Sequence, residues 1–335
     1  MKHIAANVLG LLIVAGIAVG IAINWGKARI AAPGPLAEAT VVQVPKGAGL
    51  NKISEIMAEA GIVSDARLFR LAAKYGGTAR ALKFGEYTFD PGVSVDAVLA
   101  KLSRGEVISY RVTVAEGLSS AEVVAILEST EVLTGEIAER PAEGSLAPDT
   151  YFVALGDTRE QVIARMQAAQ SAILAELWAR RASALPLSGP EEALILASIV
   201  EKETGQDGER GKVASVFLNR LGRSMPLQSD PTVIYGITLG ERSLGRGLRR
   251  SELRQPTPWN TYRIPALPPT PIANPGRAAI KAVLQPETTP FLYFVADGTG
   301  GHAFASTLAE HNANVAKWRQ IERERRAQQA EGSPG

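Results

Sequence analysis

The sequence predicts an α+β protein built from an N-terminal transmembrane helix, a small α+β module and a larger mixed α/β domain. Three observations predict it. Residues 4–25 carry no charge, strand–turn–helix patterns recur between 40 and 130, and amphipathic runs alternate with polar loops over 191–320. At 335 residues the chain is long for one ordinary domain and suits two or three.

The first element, residues 1–30, is the anchor. Residues 8–23 are unbroken apolar or glycine, Trp25 follows at an interfacial position, and Lys27 and Arg29 come next. About 20 helical residues cross the hydrocarbon layer, so the run is long enough. A cleaved signal peptide is the alternative, with Ala31 and Ala32 as its small-residue site, although its apolar region is usually only about 7–15 residues. Lys2 flanks one side and Lys27 and Arg29 the other, so flanking charge does not set the orientation. Residues 31–39, rich in Ala, Pro and Gly, read as a linker.

Next come a strand-like stretch at 40–44, a Pro-Lys-Gly turn and an amphipathic run with Ile53, Ile56, Met57 and Ala60 at helical spacing before Gly61. A similar pattern recurs at 110–127, with strand-like residues 86–89 between the two copies. They form a small α+β module over 40–130, either a binding device or a spacer. Residues 131–190 are a connecting helical region, with Val162, Ile163, Met166 and Ile173 on one face. Residues 191–320 are the larger domain, and 321–335 read as a fraying helix and disordered tail.

Composition excludes several chemistries. There are 36 basic and 34 acidic residues, a near balance with no footprint for nucleic acid. Cysteine is absent and histidines number three, so a zinc site would have to lean on carboxylates. Residues 298–303 formally match a dinucleotide fingerprint, but no second strand with an acidic residue follows. Residues 205–212 resemble a phosphate loop with the wrong spacing, and Val213 stands where Ser or Thr belongs. Neither a Gly-x-Ser-x-Gly elbow nor a Ser-x-x-Lys motif exists, which counts against serine hydrolases.

The candidate chemistry lies in residues 191–204, a helix with acidic residues in its first turn and Gly205 as its stop. On a wheel of about 100° per residue with Ile199 at zero, Glu203 falls at about 40°, between Ile195 and Leu196, within the apolar stripe. Glu201 falls at about 200° and reads as a solvated charge. A carboxyl on an apolar face holds its proton near neutral pH, as a general acid requires. The competing reading pairs Glu203 with a structural arginine, Arg210 or Arg220.

Downstream, residues 212–221 form a second amphipathic helix, and the polar loop 227–232 leads into a strand-like Val233-Ile234-Tyr235. Gln228 and Asp230 can hydrogen-bond sugar hydroxyls; Asp230 can equally shape a turn before Pro231. The Pro-rich stretch 255–275 carries Trp259, Asn260 and Tyr262, and long loops of this kind are often functional. Aromatics there either stack on sugars or pack beneath the loop. Residues 291–304 form a hairpin around Asp297-Gly298-Thr299-Gly300-Gly301, and His302 at its end either orients a substrate or a carboxylate or is a structural polar residue.

Taken together these stretches resemble the MltG (YceG-like) endolytic peptidoglycan transglycosylases. The resemblance rests on ASIVEKET (197–204), KVASVFLNRLGRSMPLQSDPTVIYG (212–236), PTPWNTY (256–262), LPPTPIANPG (267–276), FLYFVADGTGGHAF (291–304) with His311-Asn312, and EGSLAPDTY (143–151). Leu146-Ala147 depart locally from the family pattern. The resemblance implies a single-pass protein of the cytoplasmic membrane with its catalytic domain outside. It also implies a LysM-like glycan-binding module, the glycan strands of peptidoglycan as substrate, and peptidoglycan synthases as candidate partners. The second glutamate of Glu-Lys-Glu, Glu203 here, is implied as catalytic. Such an enzyme cleaves the MurNAc–GlcNAc bond, leaves a 1,6-anhydroMurNAc end and ends glycan elongation, with no metal or organic cofactor. Two other readings stand beside it: a hydrolytic muramidase with Asp230 or Asp149 as second carboxylate, and a non-catalytic scaffold of a cell-wall synthesis complex.

Overall fold

The computed structural model describes residues 2–331, with side-chain burial described over 9–325. It is a mixed α+β protein with eleven α-helices among the described residues. In chain order they run α1 (Lys2–Ala31), β1 (Thr40–Val44), α2 (Leu50–Glu59), α3 (Ala66–Tyr75), β2 (Gly85–Phe89) and α4 (Val95–Arg104). Then follow β3 (Tyr110–Thr113), α5 (Ser120–Ser129), β4 (Thr150–Val153), α6 (Arg159–Ala179), α7 (Pro190–Glu203) and α8 (Arg210–Leu221). The last are α9 (Asp230–Thr238), α10 (Arg277–Leu284), β5 (Tyr293–Ala296), β6 (His302–Ala305) and α11 (Leu308–Glu331), with one 3₁₀ turn at Glu252–Arg254. The chain divides into two compact units. One runs through Tyr110 and takes in Phe152–Asp157; the other holds Arg111–Tyr151 and the chain from Thr158 onward.

In the first unit, the Leu9–Ala31 part of α1 is long and apolar enough to cross a membrane, and it leaves Leu11, Leu12, Ile17 and Ile21 exposed. In water that exposure is unfavourable by roughly 25 cal/mol per Å² of apolar surface, so this helix calls for an apolar partner. The rest is built as β–α–α–β plus a helix. β1 and β2 pair antiparallel from Thr40↔Phe89 to Val44↔Gly85. Their inward residues Val42, Val44, Tyr87 and Phe89 meet Ile53 and Met57 of α2, Phe69 of α3, and Val98 and Leu102 of α4. Ser94 caps α4 by accepting from the Ala97 N–H, and Gly105 ends it at φ 72°, where a side chain would be strained. The first segment of this unit stops at Tyr110, so β3 from Arg111 onward and α5, which the sequence pattern groups with the module, fall in the second unit.

The second unit is organised around α7, which packs against α6, α8, α9 and α10. Ala193, Leu196, Ala197, Ile199 and Val200 of α7 join Val213, Ala214 and Phe217 of α8 and Ile280, Val283 and Leu284 of α10 in one core. Both flanks of α7 are therefore covered, which a single-stripe wheel does not anticipate. α6 starts with a capping box between Thr158 and Gln161 and buries Val162, Ile163 and Met166. β5 and β6 form the antiparallel hairpin expected from the turn residues, with Ala296 opposite His302.

One element corrects the sequence expectation. Residues 233–235 are helical, inside α9, not a strand. Asp230 and Pro231 open the first turn with a carboxylate and a preset φ, both favourable at a helix start, and they override the β-branched content of the run. At the C-terminus α11 continues through Glu331, while residues 332–335 of the expected tail lie outside the described residues.

Candidate active site

α7 opens with Pro190 and two glutamates in its first turn, and closes at Thr204, whose N–H returns to Val200 O. Its last turn thus holds Glu201 and Glu203 on different sides of one rigid rod. Glu203 is partly exposed. Its Oε1 accepts a 2.5 Å hydrogen bond from Ser229 Oγ, at the entrance to α9. Desolvation pushes its carboxyl from 4.5 up to about 7; the Ser229 hydroxyl pulls the other way, Asp230 raises it further, and His302 and Arg220 lower it.

The competing arginine reading is answered by where the arginines go. Arg220 is buried and spends its guanidinium on carbonyls, Nε on Leu292 O at 2.7 Å and Nη1 on Leu227 O at 2.7 Å. Arg210 lies between Glu201 Oε1 (3.8 Å), Glu116 Oε2 (3.7 Å) and Asp207. Among the described residues no ion pair ties an arginine to Glu203.

Glu201, read from the wheel as solvated, is the opposite: its side chain is only 5% exposed. Its Oε2 accepts the Gly276 N–H at 2.9 Å, and desolvation raises its carboxyl despite Arg210 nearby. The Glu116 carboxylate also packs against Gly276, so a Cβ there would displace that flexible side chain.

The polar loop before α9 wraps the other side of Glu203. Gln228 takes a left-handed backbone (φ 55°), and its N–H donates to Thr261 O at 3.0 Å. That turn buries Ser229, whose N–H donates to Thr261 Oγ1 at 3.0 Å. Thr261 Oγ1 also meets Thr232 Oγ1 at 2.8 Å, so two buried hydroxyls and the Ser229 N–H hold the loop against the Pro-rich stretch. Gln228 and Asp230 project outward and are exposed. Tyr262 donates its hydroxyl to Asp230 Oδ1 at 2.6 Å; burial, with the Asp230 bond next, raises the phenol well above its ordinary value.

Of the residues selected from sequence, Glu203, Asp230 and Tyr262 interact in this one region, and Gln228 touches Arg220 Nη1 at 3.5 Å. Asn260 does not share their role. It is fully buried, its Nδ2 donates to the carbonyls of Leu253 (3.0 Å) and Gln255 (2.8 Å), and its Oδ1 accepts the Tyr262 N–H. An amide so committed to backbone shapes the loop instead of meeting a sugar. Trp259 likewise packs beneath the loop, its indole N–H on Thr270 Oγ1 at 3.0 Å and its ring edge-on to Tyr235.

Two residues carry more than the sequence suggested. Ser229 is the hydrogen-bond partner of Glu203, and only its place between two polar residues hinted at it. His302 is clamped by Glu209: its N–H donates to Oε1 at 2.8 Å and Nδ1 lies 2.6 Å from Oε2. It is near enough to influence the Glu203 carboxyl electrostatically.

Residues 42–317 match the sequence model of the YceG-like family. The chain belongs to the YceG-like family. An endolytic murein transglycosylase of Bacillus subtilis is 29% identical over 332 residues, covering 90% of this chain and 91% of that one. One of Streptococcus pneumoniae serotype 2 is also 29% identical, over 82% of this chain and 58% of its own. Among solved structures, the crystal structure of a yceG-like protein of Listeria monocytogenes is 28% identical with a TM-score of 0.51, covering 83% of this chain and 99% of that one. In this YceG-like chain Glu203, Ser229, Asp230 and Tyr262 all fall within the matched span.

Proposed function

We propose that this chain is an endolytic lytic transglycosylase of peptidoglycan with Glu203 as its acid/base. The observation that carries the reading is a carboxyl raised to about 7 that bonds a hydroxyl and is tied to no arginine among the described residues. Relatives named endolytic murein transglycosylases at 29% identity over most of the chain support it.

In the reaction, protonated Glu203 donates to the oxygen bridging MurNAc C1 and GlcNAc. The C1–O bond breaks, and the proton goes to the leaving GlcNAc hydroxyl. The carboxylate then takes the proton from the C6 hydroxyl of the same MurNAc, whose O6 attacks C1 and closes a 1,6-anhydro ring. No water enters, so one protein carboxylate suffices, whereas ordinary glycosidases use two, about 5–5.5 Å or about 6.5–9.5 Å apart. Exposed Gln228 and Asp230, with Tyr262, hold the sugars. Cleavage within growing strands ends their elongation, and peptidoglycan synthases are fitting partners.

α1 anchors the chain with the catalytic unit outside the cytoplasmic membrane, where the substrate is. The β1–α2–α3–β2 arrangement serves as a LysM-like glycan-binding module. Hydrolysis is the second reading, favoured by one observation: Asp230 is exposed and close enough to Glu203 to raise its carboxyl. Mass spectrometry of the cleaved ends decides between them. Transglycosylation gives ends one water lighter than hydrolysis, and fully hydrated ends would overturn it. Glu203→Gln that still cut strands at the native rate would overturn both.

A further inference from the structure

Beside the Glu203 site the second unit holds a separate cavity of about 480 Å³ that the chemistry above does not use. Its floor is apolar, from Ile234, Tyr235 and Ile272, and its rim carries Lys202, Arg242 and Arg246. Lys202 directly precedes Glu203, and Pro231, also in the lining, directly follows Asp230. The cavity therefore shares α7 and α9 with the cleavage site while facing a different side of them.

Three basic side chains and one acidic side chain line the cavity. Its acidic member, Glu122, closes the α5 capping box by accepting the Ser119 N–H at 2.8 Å. Residues 240–263 hold six arginines and two glutamates. Both glutamates are spent internally, Glu241 on Arg140 (2.6 Å) and Glu252 on Arg246 (2.6 Å). Arg242 is exposed and makes no ion pair among the described residues. The segment is also anchored, because Ser119 Oγ donates to Gly240 O at 2.6 Å. With Arg246 paired to Glu252 and Lys202 Nζ donating to Gly117 O at 3.0 Å, Arg242 is the lining cation left for a ligand, and one cation beside an apolar floor suits a carboxylate carried on an aliphatic chain.

We propose that this cavity is a subsite for the peptide stem of the glycan substrate, with Arg242 binding a stem carboxylate. The inference rests on the glycan-cleaving reading above and names which part of the strand the enzyme holds. In an intact strand the lactyl carboxyl of MurNAc is tied up in the amide to the stem, so the negative charge belongs to the peptide.

The test uses the full chain in detergent with Glu203→Gln, so that strands bind without being cut. Affinity is measured for strands bearing stems and for the same strands after an amidase has removed them. Stem-bearing strands are expected to bind about tenfold tighter, the scale of one charge-assisted hydrogen bond. Adding Arg242→Ala should bring the ratio to near one, and Arg242→Glu should reverse it; the exposed position of Arg242 makes both variants compatible with folding. Equal affinity for both kinds of strand, or a ratio that Arg242→Ala leaves intact, would overturn the proposal. Cleavage of the same strands by the unsubstituted chain is scored separately. A chain that binds stems but cuts nothing sinks the catalytic reading alone.

Discussion

The last turn of α7 sets two glutamates side by side in sequence and apart in chemistry. Both are withdrawn from water and both carboxyls are raised by desolvation. Glu201 is met by Arg210 and the Gly276 N–H, within a cluster that also holds Glu116 and Asp207. Glu203 is met by a serine hydroxyl, keeps partial exposure and lies beside a loop whose Gln228 and Asp230 are exposed. Burial alone does not separate a structural carboxylate from a catalytic one. The partners do: Glu201 is held between an arginine and a backbone N–H, while Glu203 meets a neutral hydroxyl that leaves its proton free to come and go.

Exchanging the two carboxyls for amides breaks the comparison most directly. Glu203→Gln should cut the rate of strand cleavage by about 10²–10⁴-fold, the usual worth of general acid/base catalysis, with the circular dichroism spectrum unchanged. Glu201→Gln should keep cleavage within about tenfold of native, because it touches no substrate. If Glu201→Gln proved the more damaging to kcat, the roles assigned here would be reversed.

The second difference is in stability against pH. Glu203 titrates at 4.5 ordinarily and near 7 in the fold, so the folded state binds the proton more tightly. Its favourable contribution is complete below about 4.5 and is lost as pH rises through 7. Glu203→Gln escapes that loss. Thermal melts should therefore show the variant gaining on the native chain between pH 4.5 and 8, by up to about 3 kcal/mol. A constant gap between the two across that window would mean that the carboxyl is not perturbed.

Glu201→Gln should instead destabilise at neutral pH, by about 1–3 kcal/mol, since Arg210 is buried and loses a carboxylate while Glu116 and Asp207 remain. Chemical denaturation at pH 7 measures it. No change in midpoint would show that Arg210 is satisfied without Glu201.

The same helix shows what a sequence can carry. The wheel placed Glu203 among apolar residues, and the helix limits, the hairpin at 293–305 and the Pro-rich loop follow from caps, turn residues and periodicity. Those signals are local. Glu201 was misjudged because residues 274–276 and α8 arrive from elsewhere to cover the face that a wheel leaves open. Asn260 was misjudged for a related reason: polarity in a loop marks a hydrogen-bonding residue, but not whether its partner is a ligand or the loop's own backbone. In α9 the β-branched residues suggest a strand, and the helix start at Asp230-Pro231 outweighs them in the fold.

The smallest expected effect probes the donor that distinguishes the two sides. Ser229 donates to the Glu203 carboxylate and so favours its ionised form, opposing the larger desolvation. Ser229→Ala removes that donor, and the carboxyl should rise above its native value near 7. The proton is then held to higher pH, so the fall in cleavage rate on the alkaline side should move upward, by about half to one pH unit for one hydrogen bond of about 1 kcal/mol. At pH 7 the rate should change only a few-fold, because more of the acid form is offset by slower release of its proton to the sugar. A downward move would mean that the serine acts by orienting the carboxyl and not by tuning it. Ser229→Thr, which keeps the hydroxyl, should leave the profile in place.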